Sequence, residues 1–240
     1  MLTVQSLAPT GKLRAAINFG NAVLAKEDAQ TGEASGVTID LARELARRLG
    51  VPVELKTYRG AGLVVDAVKQ EDVDIAFVAI DPLRAQDLAY SAAYVIIEGA
   101  YLVRHESPLI DNAEVDQAHH RVVVTKGSAY DLYLSRELKQ ASMDQVATSQ
   151  LVVDHFLASG ADVAAGVKQQ LEFDVARLQG LRMLPGRFMA IHQALGTPHS
   201  RQAALPYLAQ FIEEMKASGF VADALQRHGI KGASVAPAHP

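Results

Sequence analysis

Val73-Asp74-Ile75-Ala76-Phe77-Val78-Ala79-Ile80 runs directly into Asp81-Pro82-Leu83-Arg84, and Tyr90-Ser91-Ala92-Ala93-Tyr94 follows shortly after. The first run reads as a strand buried on both faces, the kind found in parallel sheets. Arg84 comes just past its carboxyl end, where open α/β sheets bind ligands. Its planar guanidinium matches a carboxylate with two parallel hydrogen bonds. A surface Arg paired with Asp81 or Asp87 is the plain alternative.

Working outward, strand-like runs alternate with helix-period segments, which predicts an α/β protein with a mostly parallel sheet. Leu13 to Asn18 reads as a first strand leading into the loop Phe19-Gly20-Asn21. A helix follows, with Thr38 as N-cap, Asp40 at its positive end and Gly50 just past its end. Leu41, Leu45 and Leu49 form its apolar stripe. Strand Val51 to Leu55, helix Gly62 to Gln70 and strand Val73 to Ala79 complete a βαβαβ half. Gly99 to Arg104 reads as a strand leaving this half, and the polar stretch from Glu106 to His120 as a loop-rich boundary.

A second α/β unit then begins with strand Arg121 to Thr125 and a helix from Gly127-Ser128 to Lys139. Helix Ser149 to Ser159, strand Asp162 to Ala165, helix Lys168 to Leu178 and strand Leu181 to Leu184 continue it. Phe188 to His192 has strand character and returns the chain to the first unit, where helices Arg201 to Lys216 and Phe220 to Gln226 close it. The expected division is 11–100 with 191–230 as lobe 1, 101–190 as lobe 2, and 231–240 as a disordered tail. Two lobes joined by two extended crossings predict a hinge with a ligand cleft. No internal repeat is visible.

Composition narrows the function. Hydrophobic residues make up 49% of the 240 residues, enough for a sizeable core. A net charge of −4 does not suit a nucleic-acid partner. No apolar run approaches the roughly 18 residues of a membrane span. The stretch from Met1 to Ser6 shows no secretory signal, which leaves the cytoplasm as the alternative to an exported protein. There is no cysteine, so disulfides and thiol catalysis are excluded. His119-His120 and His192 lack ligand spacing, and no metal or cofactor is expected.

Lys126-Gly127-Ser128-Ala129-Tyr130-Asp131 is the second feature with chemistry. Ser128 and Asp131 have capping-box spacing, and the N–H groups around Gly127, Ser128 and Ala129 form an anion site at the helix start. An ordinary well-capped helix explains the same residues. If Arg84 and this turn gripped one carboxylate, closure would depend on ligand.

Gly36 to Gly50, Val73 to Ala76, Asp81 to Tyr94 and Thr125 to Ser128, in that order, resemble the family-3 extracellular solute-binding proteins, the polar amino-acid receptors of ABC importers. The likeness covers about residues 11–230 and implies a type II periplasmic-binding fold, a periplasmic location, an ABC permease as partner, and a monomer without catalytic activity. It assigns Arg84 to the ligand carboxylate and Gly127, Ser128 and Ala129 to backbone donors for the same group. Asn18, Phe19 and Asn21 match the first cleft loop. Ala76, Phe77 and Ala79 fall where relatives carry small hydroxyl or glycine residues.

The resemblance breaks after strand Asp162 to Ala165. Where amino-acid binders carry an Asp for the α-ammonium, this chain has Gly166-Val167-Lys168. A buried ammonium without a partner costs several kcal/mol. That points to a carboxylate lacking an α-amino group, with Lys168 as a second anchor for a dicarboxylate. A solvated helix-start lysine is the plainer reading of Lys168, because Lys is seldom buried unpaired. Glu98 could supply the missing negative charge or be a hinge salt-bridge partner. Two other functions stay open. One is a cyclohexadienyl dehydratase-like enzyme with Glu98 or Glu172 as general acid; the other is a cytoplasmic ligand sensor.

Overall fold

The computed structural model describes residues 2–239. Two compact units divide it, the first comprising the described residues up to 96 and from 192 onward, the second 97–191. After the short helix α1 (Leu2–Leu7), the first unit is built on β1 (Leu13–Asn18), the small hairpin β2 (Lys26–Glu27) and β3 (Ala34–Ser35), α2 (Val37–Leu49), β4 (Val53–Tyr58), α3 (Ala61–Lys69) and β5 (Ile75–Ala79). β1 pairs in parallel with β4 on one side and β5 on the other. The chain therefore leaves β1 in one direction and returns on its opposite flank. That reversal is the topological switch point at which α/β sheets open a ligand crevice. The loops after β1 and β5 both emerge there.

The β5 residues alternate as a strand buried on both faces requires. Ala76 and Val78 pack with Val64, Val65 and Val68 of α3. Phe77 faces the other way and meets the Tyr94 ring edge-on at 6.0 Å. α2 begins two residues earlier than its composition suggests. Its N-cap is Gly36, and Thr38 is buried with its hydroxyl donated to the Leu24 carbonyl. Gly36 has φ 134°, and a Cβ there would lie 2.3 Å from the Leu24 oxygen, so close backbone approach decides the residue.

Two strands carry the chain between the units, β6 (Leu88–Arg104) and, further on, Met189–Pro198. The second unit continues with β7 (Arg121–Thr125), α4 (Ala129–Glu137), β8 (Ser142–Val146), α5 (Leu151–Ser159), β9 (Val163–Val167), α6 (Lys168–Arg177) and β10 (Leu181–Met183). Its core gathers Leu102, Val123, Phe156, Ala164 and Leu171. β7 pairs in parallel with β8 and with β9, which repeats the order of the first unit. β9 in turn lies antiparallel to β6, with Gly99 opposite Val167. β8 was not expected from sequence, because Ser142-Met143-Asp144-Gln145-Val146 has no apolar run. The polar stretch 106–120 lies inside the second unit and includes a capped 3-10 turn, Asn112–Glu114.

The return strand β11 (Met189–Pro198) joins β5 antiparallel within the first unit, through Gln193 to Gly196. A 3-10 turn, His199–Ala204, precedes α7 (Leu205–Ala217), which starts at Leu205 with Pro206 in its first turn. α8 (Phe220–Arg227) follows. The tail expected to be disordered is ordered instead. β12 (Ser234–Val235) pairs with Ile96 and Val95, the Ala236 N–H donates to the Tyr94 carbonyl, and Lys216 Nζ donates to the Pro237 oxygen at 2.9 Å. A free strand edge and a buried lysine order a segment whose own sequence has no periodicity. Pro240 lies outside the described residues.

One polar cluster fixes the first unit. Asp74 is fully buried and accepts from the Arg14 backbone N–H at 2.8 Å, from the Arg14 guanidinium at 2.7 Å, and from Arg201. Asp74→Asn should leave two arginines short of a counter-charge. We expect a loss of about 3–5 kcal/mol, seen as a melting temperature lower by roughly 10 °C. An unchanged melting curve would contradict that role.

Candidate functional site

In the first unit, the loop after β5 is folded by Asp81. Its Oδ1 accepts the Leu83 N–H at 2.8 Å and its carbonyl accepts the Ala85 N–H, which sets up the 3-10 turn Arg84–Gln86. Arg84 is 3% exposed, and its Nη1 donates to the Ala79 carbonyl at 3.0 Å. Burial pushes its pKa down, while Tyr90 and Asp81 act against that shift. A guanidinium keeps its charge under such a shift. Burial likewise pushes the Tyr90 phenol up to about 12, with Arg84 opposing. Asp87 pairs with Lys69 at 3.0 Å. Arg84 is thus a buried cation, with Asp81 in its electrostatic surroundings.

The loop after β1 holds Asn18, Phe19 and Asn21. Asn18 Oδ1 accepts the Gly20 N–H at 2.9 Å, so its side chain shapes the turn. Phe19 is buried, and Asn21 Oδ1 is buried without a hydrogen-bond partner. Phe77 is buried, with its ring edge-on to Tyr94. Ala79 contributes its carbonyl to Arg84.

In the second unit, Gly127 has φ 71° and Ser128 caps α4, accepting the Asp131 N–H at 3.0 Å. Asp131 reaches back to the Gly127 N–H at 2.7 Å, one residue beyond the usual capping box, and also accepts from Gln145. The Ser128 N–H donates to the Thr125 carbonyl at 3.1 Å. Two of the three backbone donors expected for an anion are therefore already engaged. The N–H of Ala129, the first helical residue, has no intrahelical acceptor. Beneath this turn the Tyr130 hydroxyl donates to Thr125 Oγ1 at 2.6 Å, and Thr125 donates to Ser149.

At the end of β9, Lys168 is the first residue of α6. Its Nζ contacts Glu98 Oε2 at 2.9 Å, while Arg187 Nη1 contacts Glu98 Oε1 at 3.0 Å. Glu98 is thus a salt-bridge partner of two cations, and Lys168 is not simply solvated. The Lys168 hydrogen bond, helped by Arg187 and opposed by burial, holds the Glu98 carboxyl below its usual range. Arg187 was missed from sequence; its only signal was a cation between the Pro185-Gly186 turn and Phe188. Phe188 stacks on Tyr101 at 4.3 Å and lies 6.1 Å from Tyr133. Among the described residues no group of three or more His, Asp or Glu could hold a metal ion.

The sequence profile of the bacterial extracellular solute-binding proteins, family 3, matches residues 23–230. The chain belongs to this family. No curated protein matches it. Among solved structures, a mutant of ArgBP from T. maritima superposes with a TM-score of 0.80 at 19% identity, covering 95% of this chain and 100% of that one. The solute receptor for L-cysteine of Neisseria gonorrhoeae gives 0.81 at 19% identity, over 94% of this chain and 92% of that one. The ancestral amino-acid-binding protein AncCDT-1, a precursor of cyclohexadienyl dehydratase, gives 0.78 at 18% identity, over 95% and 100%. The fold is that of the type II periplasmic binding proteins. This family-3 protein is thus an extracellular solute-binding protein.

Two outcomes follow from the geometry of the second unit. Ser128→Ala removes the α4 cap and should cost about 1 kcal/mol in urea unfolding. For Glu98, the folded pKa lies below the ordinary 4.5. Its pairing therefore stabilises the protein fully above that ordinary value and fades as pH falls through the folded value. Glu98→Gln should flatten that acid limb of the stability–pH curve; an unaltered limb would show that Glu98 does not contribute to it.

Proposed function

We propose that this solute-binding protein is a non-catalytic receptor for a small organic carboxylate, which it delivers to an ABC permease outside the cytoplasm. One observation carries the proposal: a buried guanidinium fixed just past β5, at the switch point of the first unit's sheet. A cation kept out of water at a ligand crevice gains most from a bidentate anion. The Ala79 carbonyl and the Asp81 turn orient Arg84 before any solute arrives. Such preorganisation lowers the ordering cost of binding. Asn21, with its unpartnered amide oxygen in the loop after β1, is the polar group best suited to add a hydrogen bond.

The likeness to a dehydratase precursor keeps one enzymatic alternative in view. It is less well supported. Glu98 is held in its ionised form by two cations, which suits a structural carboxylate better than a general acid at neutral pH. Glu172 lies on an exposed face of α6.

Arg84→Ala should weaken carboxylate binding by about 3–5 kcal/mol, roughly a hundredfold or more in Kd. Calorimetry against a panel of amino, keto, hydroxy and dicarboxylic acids is the check. Equal affinity in the variant would remove Arg84 from the site. Absorbance change with prephenate or arogenate would favour the enzyme instead.

A further inference from the structure

We propose that Lys168 and Arg187, bridged by Glu98, form an anion-accepting subsite that selects organic acids without an α-ammonium group. The inference rests on the receptor function above, since it names the class of solute received. Three features of the second unit support it, beginning with position. β9 and β7 are parallel neighbours, and the chain reverses about β7, so the ends of these strands mark a switch point. Lys168 follows the last residue of β9. Glu98 sits level with it, because Gly99 pairs with Val167. Arg187 is drawn to the same place because the Phe188 N–H donates to the Gly99 carbonyl at 3.0 Å.

Charge is the second feature. Two cations share one carboxylate, so the cluster carries 2 − 1 = +1, and each Glu98 oxygen already accepts from a different cation. Lys168 also stands in the first turn of α6, where the helix dipole disfavours a positive charge. Val167 offers no side-chain cap, and that turn contains no acid. The arrangement is short of negative charge, and one anion would complete it. An incoming ammonium would meet two cations and a carboxylate with both oxygens engaged.

The third feature is rigidity and access. A Cβ at position 99 would lie 2.7 Å from Met189 and 3.0 Å from Phe188, so the backbone beside Glu98 is tightly packed. Phe188 stacks on Tyr101, approaches Tyr133 and lies close to the Gly99 backbone. The Arg187 and Lys168 side chains remain 52% and 33% exposed, so both retain donors within reach of solute.

The test is calorimetry on the full chain with matched pairs: glutamate and 2-oxoglutarate, phenylalanine and phenylpyruvate, leucine and its 2-keto acid. At least one keto acid should bind ten times more tightly than its amino acid. Lys168→Met and Arg187→Met should each weaken that binding tenfold or more, and Arg187→Lys should retain part of it. Glu98→Gln, which removes the competing carboxylate, should tighten it several-fold. The proposal is overturned if any amino acid binds more tightly than its keto partner, if no keto acid binds, or if both methionine variants bind as the parent does. Loss of binding in Arg84→Ala alone would sink the subsite and leave the receptor function standing. Loss in the two methionine variants alone would do the reverse for the Arg84 anchor.

Discussion

The first unit depends on a carboxylate with no access to water. Asp74 joins the start of β5 to the start of β1 through Arg14, and both to the turn before α7 through Arg201. Its own N–H donates to the Arg14 carbonyl, and its carbonyl accepts the Thr197 hydroxyl. Desolvating three charges is costly, and only their mutual pairing offsets it. The cluster sets where β5 begins. Five residues later the strand ends, and the Asp81 turn then places Arg84. A structural ion cluster at one end of the strand thereby helps to set the position of a buried cation at the other.

The second unit repeats the device with different partners. The Arg121 N–H donates to Asp162 at 2.8 Å and the Asp162 N–H returns to the Arg121 carbonyl, as Arg14 and Asp74 do. The Arg121 guanidinium, however, turns away to Asp144 and to the Ser159 carbonyl. The two units therefore share a strand order and a backbone bracket, although the chain shows no repeat in sequence. The bracket needs one arginine and one aspartate at matching strand starts, too sparse a pattern to register as periodicity.

The proposed solute chemistry also rests on electrostatics. Each unit holds cationic side chains at the switch point of its own sheet: Arg84 in one, Lys168 and Arg187 in the other. In both, a nearby acid shapes the site. Asp81 folds the turn that carries Arg84, and Glu98 tethers two cations. Asp131 has the opposite effect at the Gly127 turn, because it occupies a backbone donor that an anion would otherwise use. Family membership is settled by the match over 23–230, whereas the charge cluster distinguishes this member's proposed ligand from an amino acid.

The alternation of apolar runs and helix periods was enough to establish the α/β class, the two successive βαβ patterns and the strand that presents Arg84. These features are local, since burial of a strand or one helix face leaves its mark within a few residues. Capping at Ser128 was legible for the same reason. Tertiary structure alone decided the rest. The pairing of β12 with β6, the strand character of the polar β8 and the burial of Phe77 depend on partners distant in sequence. So do the union of Asp74 with Arg201 and that of Glu98 with Lys168 and Arg187. Charged side chains reveal their partners only once the backbone brings them within a few ångströms, because the energy of an ion pair depends on distance and burial rather than on spacing along the chain.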